Sequence, residues 1–166
     1  MPSTRALCAA LLVAWTAAAV GATPKPEAVL DEAAEPREPV VMPAAMRQTF
    51  RATMRDHLRA MQEVGELLAA GRYDRARRVA EDRLGMTGML EHEGGRLAVH
   101  LPDAMQVMGQ EMHRSGSRLA IQIQNASVDG DLAEVLGAFA EVAGECVACH
   151  ERYRLSESAP APPARP

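Results

Sequence analysis

Residues Leu132 to Tyr153 read LAEVLGAFAEVAGECVACHERY. Leu132, Val135, Phe139, Val142, Cys146, Cys149 and Tyr153 follow one another at intervals of 3, 4, 3, 4, 3 and 4. That alternation keeps every member on one face of an α-helix, as in a coiled-coil seam. The helix is expected to begin after Asp129-Gly130 and to reach about Arg154. Two cysteines lie within the seam, so the buried face of this helix carries reactive groups.

Working outward, the same periodicity recurs upstream. Phe50, Met54, His57, Met61, Val64 and Leu68 are spaced 4, 3, 4, 3 and 4. They predict a helix from about Pro43 to Ala70, with Pro43 at the favourable first position and Gly71 closing it. A short helix is expected from Asp74, a candidate N-cap, to Leu84, with Ala76, Val79, Ala80 and Leu84 inward and Gly85 ending it. Residues 86–101 hold Gly88, Gly94 and Gly95 and room for a short helical turn. A further helix is expected from Pro102 or Asp103 to about Asn125, with Met105, Met108, Met112, Leu119 and Ile123 lining one face. Gly109 and Gly116 each weaken it by about 1 kcal/mol relative to Ala, and glycine there permits close approach of a neighbour. Four helices with short connections predict an all-α, antiparallel four-helix bundle over 44–154.

The flanks read differently. Residues 1–22 have the pattern of a signal peptide: Arg5, the apolar run Ala6–Val20, then Val20-Gly21-Ala22 as a cleavage site. The run is short for a membrane span, so no membrane contact is expected once it is removed. Residues 23–43 carry Pro24, Pro26, Pro36, Pro39 and Pro43 and read as a Pro-rich linker. Residues 155–166 read as a disordered tail. The net charge of −4 argues against a nucleic-acid binder, which normally shows a basic surface. Aromatic residues make up 3% of the chain. The core must therefore be filled by Ala, Leu, Val and Met, or by something that is not a side chain.

Cys146-Val147-Ala148-Cys149-His150 is a C-x-x-C-H stretch, the attachment motif of c-type heme. Residues 146, 149 and 150 stand at i, i+3 and i+4, so their side chains leave one helix face together. Two thiols there suit the two vinyl groups of a porphyrin, and an imidazole nitrogen suits its iron. The signal peptide agrees, because bacteria attach this heme outside the cytoplasm. Other readings of the two cysteines are weaker. A thioredoxin-like pair wants a βαβ setting, a structural zinc site needs four ligands, and a disulfide across i, i+3 of a helix is strained. The sixth iron position is expected from the inward stripe of the first helix, where Met54 and His57 both lie. A Met ligand raises the reduction potential and suits electron transfer, whereas an apolar distal face leaves the iron five-coordinate and suits gas binding. Met105, Met108 and Met112 read as core. His92, His100 and His113 read as surface or loop residues. Arg152 and Arg154 are candidates to neutralise heme propionates, because Arg forks onto carboxylates; a cation near a helix C-terminus is also favoured by the helix dipole.

The ending Cys146-Val-Ala-Cys149-His150-Glu-Arg-Tyr153-Arg154, on the last of four predicted helices, resembles the class II cytochromes c. These comprise the high-spin cytochromes c prime and their low-spin, Met-ligated relatives. The resemblance covers 44–154 in architecture and is specific in the C-terminal motif. It implies one covalent heme c per chain, bound through Cys146 and Cys149, with His150 as the proximal ligand. It places the distal ligand of low-spin members early in the first helix, where Met54 stands; His57, one turn on, is the alternative. The basic-Gln pair Arg47-Gln48 lies further from Met54 than in the family. The implied role is non-enzymatic, one-electron transport in the bacterial periplasm with redox proteins as partners and a possible homodimer. The alternative role is five-coordinate binding of nitric oxide or carbon monoxide.

Overall fold

The computed structural model describes residues 35–91 and 97–157. The expected signal peptide, most of the linker and the last nine residues of the tail lie outside them. Strand β1 (Glu38–Val41) is followed by helix α1 (Ala44–Ala69) and helix α2 (Tyr73–Val79), which continues as a π-helical turn (Ala80–Leu84). Helix α3 (Met86–Glu91), helix α4 (Asp103–Asp129), helix α5 (Leu132–Arg152) and strand β2 (Tyr153–Ser156) complete the order. The described chain is thus mostly helical, with one small parallel strand pair. No helix among the described residues is long and apolar enough to cross a membrane.

The helix ends follow local chemistry. Pro43 caps α1 and Gly71, at φ +67°, turns the chain out of it. Gly130, at φ +77°, ends α4, and the Asp131 carboxylate accepts from the Ala133 N–H at 2.9 Å to start α5. Such a cap contributes about 1 kcal/mol. Asp74 is not a cap: α2 begins at Tyr73, which leaves Asp74 in the first turn, where its charge still meets the helix dipole. Helix α4 runs four residues past the expected Asn125, to Asp129, because nothing before Gly130 breaks it.

Helix α4 packs along α5 and against α2, and α2 packs on α1. One apolar cluster joins Val64 and Leu67 of α1, Leu84, Leu119 and Ile123, and Val135 and Val142 of α5. Burying each such side chain contributes roughly 1.5–3 kcal/mol. A second cluster joins Val40 and Met42 to Met105 and Tyr153. The expected inner residues of α1 are confirmed in His57, Met61 and Val64, while Leu132 of the C-terminal seam is 43% exposed.

The strand pair corrects two expectations. Glu38–Val41 belongs to no linker, and Leu155–Ser156 to no tail. They pair in parallel, with Glu38 opposite Tyr153 and Val41 opposite Ser156. Pro39 is tolerated because this strand has an unpaired edge. Helix α5 ends at Arg152 rather than Arg154 because Tyr153 turns extended, at φ −120° and ψ 149°, to enter β2. Tyr153 therefore leaves the helical seam and fills the second cluster instead.

The π turn is the tightest junction. A Cβ at residue 116 would collide with the carbonyl of Leu84, so glycine there lets α4 touch the turn's backbone. Gly116→Ala is expected to destabilise the protein by about 1–3 kcal/mol, the range for overpacking. Gly137→Ala, on an open face of α5 with nothing within 4 Å, is expected to stabilise by roughly 0.5–1 kcal/mol. Urea unfolding of the two variants against the parent checks both signs.

Candidate functional site

A cavity of about 1130 Å³ opens between α1, α3, α4 and α5. Pockets for small ligands hold roughly 300–1,000 Å³, so this one suits a larger group. Helix α1 contributes Phe50, Met54, His57 and Met61; α4 contributes Met105, Met108, Met112 and His113; α5 contributes Phe139, Cys146, Cys149 and His150. The three motif residues thus lie in one wall, as their i, i+3, i+4 spacing requires. Met54 and His57 lie in the wall formed by α1. The three methionines read as core face the same space, though Met105 and Met112 are buried.

The two thiols occupy distinct surroundings. Cys146 packs against the first apolar cluster and Cys149 against the second. Both are half-buried and unbridged. Burial pushes the Cys146 thiol above its ordinary pKa, and the Glu145 carboxylate adds to this. Burial raises Cys149 likewise, with Cys146 beside it contributing. His150 is exposed within the cavity lining.

The end of the motif helix is held from the N-terminal side. Glu35 and Arg37 form a two-pronged ion pair at 2.7 and 2.8 Å. The Arg37 side-chain hydrogen bond holds the Glu35 carboxyl down at about 2. Arg37 also donates to the His150 carbonyl at 3.5 Å. Arg152 stands 3.9 Å from Glu38 and lies over the Tyr153 ring at 5.1 Å. The Tyr153 hydroxyl is buried and has no hydrogen-bond partner among the described residues.

One sequence expectation changes here, and two arginines stand outside the lining. Neither Arg152 nor Arg154 lines the cavity. Arg154 sits in β2 opposite Pro39, so the strand pair withdraws it from the helix face. His113 is not a surface residue: it is 7% exposed and lines the cavity. Its Nδ1 lies 2.9 Å from the Leu84 carbonyl and 3.1 Å from that of Gly85. The His57 ring meets it at 5.3 Å between centroids and 86° between planes. The sequence signal for this was the pair Gly116 and Ala120, at i+3 and i+7 from His113, which marks a flank pressed close to a neighbour.

Among the described residues no three His, Cys, Asp or Glu side chains gather into a metal-binding group. What the wall does offer is two thiols and an imidazole around an apolar space, the donor set that a covalently bound porphyrin uses. Comparison with family models, with characterised proteins and with solved structures returns no match.

Because both thiols are shifted upward, the chain with its thiols unmodified is expected to react with iodoacetamide more slowly than a cysteine peptide at pH 8. The rate should rise only as pH passes the ordinary thiol range, since the thiolate is the nucleophile. A pH series of alkylation rates followed by intact mass checks the direction.

Proposed function

We propose that this chain is a periplasmic, monoheme c-type cytochrome of the class II kind, an antiparallel four-helix bundle that carries single electrons. One observation carries the reading: the C-x-x-C-H residues share a wall of a large apolar cavity on a bundle with few aromatic side chains of its own. Protein interiors close-pack and leave few voids larger than a water molecule. An apolar space of about 1130 Å³ therefore reads as room for a bound group.

Heme c, when bound, supplies a one-electron iron couple. Cys146 and Cys149 would hold it through thioether bonds, and His150 would be the proximal ligand. Straddling two apolar clusters, the cysteines would fix the group at both cores. The Met and Phe side chains keep water from the site, and low polarity with the axial pair sets the potential. Helix α1 would offer any sixth ligand from its cavity-facing stripe, where Met54 and His57 are the two candidates. No catalytic step is required of the chain. Its partners would be redox proteins, and pairing of two copies through exposed helix faces is compatible with the role.

The test is expression with the heme-maturation machinery of a bacterial periplasm. The expected product is red, with one heme added to the mature mass. Cys146→Ala and Cys149→Ala should each lose one thioether, and the double variant should retain no heme after denaturing extraction. A colourless product of bare polypeptide mass defeats the reading. A five-coordinate, high-spin spectrum would point to nitric oxide or carbon monoxide binding in place of electron transfer.

A further inference from the structure

We infer that His57, rather than Met54, is the side chain that α1 offers to the heme iron, and that His113 is the residue that positions it. The inference rests on the heme reading above and refines its sixth ligand.

The argument starts from the π turn, Ala80–Leu84. Arg83 donates from Nε and Nη2 to the two carboxylate oxygens of Asp56, at 3.0 and 2.6 Å. Its Nη1 donates to Glu63 at 2.9 Å. These acidic residues bracket His57 on α1, so one guanidinium sets the helix against the turn around that position. A forked Arg–carboxylate pair supplies geometry as well as attraction. The next two carbonyls of the same stretch, Leu84 and Gly85, face His113 Nδ1. Both are acceptors, so Nδ1 carries a proton and donates it to them. Gly116 lets α4 come close enough for this contact. The turn and the glycine after it thus contact His113 directly and the two neighbours of His57 on α1 through Arg83, and the two rings meet at right angles.

Both imidazoles are buried, His57 at 5% and His113 at 7% exposure. Metal-binding histidines are characteristically held by neighbours that fix ring orientation and tautomer. The His57 ring abuts the edge-on ring of His113, which the Leu84 and Gly85 carbonyls hold in place. Met54 is half-buried on a side chain with three rotatable bonds and only a weak acceptor for polar neighbours to grip. Both lie in the cavity wall, so the difference between them is pre-organisation. An imidazole on each side of the iron gives a low-spin centre with a lower potential than a Met–His pair.

The experiment uses the heme-loaded full chain, with optical, near-infrared and electron paramagnetic resonance spectra. The parent should show a low-spin iron with a bis-imidazole signature and no sulfur-to-iron charge-transfer band. Met54→Leu should leave that spectrum unchanged. His57→Ala should turn the iron high-spin, and added imidazole should restore the low-spin form. His113→Leu should give a mixture of spin states, whereas His113→Asn, which keeps a donor for the Leu84 carbonyl, should stay close to the parent. Far-ultraviolet circular dichroism identifies variants that keep the fold, and only those are scored. A sulfur-to-iron band in the parent that Met54→Leu abolishes would overturn the assignment, as would a folded His57→Ala protein with an unaltered spectrum. A chain carrying no heme at all is a different failure, seen in the mass, and strikes the underlying reading.

Discussion

Close packing is the constraint on which the rest of the structure depends. A protein core at crystal-like density has no space to spare, yet this chain keeps about 1130 Å³ open among its helices. The space is walled by members of both apolar clusters, and the two cysteines divide between those clusters. The methionines of α1 and α4 border it because their unbranched, polarizable side chains adapt to irregular surfaces. Phe50 and Phe139 are the large aromatic side chains of the described lining, so the aromatic-poor composition leaves the space unfilled.

Much of the helical framework was legible because helical periodicity is a local property. Each member of the α1 stripe lies three or four residues from the next, and α1 begins and ends within a residue of expectation. The glycines at 71, 85 and 130 terminate elements where their backbone freedom or lack of a side chain predicts. The three motif residues were legible for the same reason. Their shared wall follows from their spacing on one helix, without reference to any other part of the chain.

The features that were not legible all depend on distant partners. Burial of His113 is decided by the carbonyls of Leu84 and Gly85, which reach it only because α2 ends in a π turn. Nothing in Ala80–Leu84 announces that widening, and the Arg83 clamp that accompanies it spans two helices. Prolines in 35–43 resemble a linker by composition, yet Val40 is 2% exposed once Tyr153 and Met105 are beside it. Arg154, in the paired strand, stands outside the cavity lining for the same reason. Composition and period describe a segment; they do not say which remote backbone will claim it.

The parallel strand pair also bears on the order in which the molecule assembles. Its two strands come from opposite ends of the described chain, and joining remote segments incurs a loop-closure entropy that neighbouring helices avoid. The ladder is therefore a late event, formed after α4 and α5 have met through their short connection. Without it, the final turn of α5, which carries Cys149 and His150, has no strand to hold its end. Zippering Glu38–Val41 onto Tyr153–Ser156 anchors that end, so the N-terminal segment of the described chain fixes where the motif helix stops.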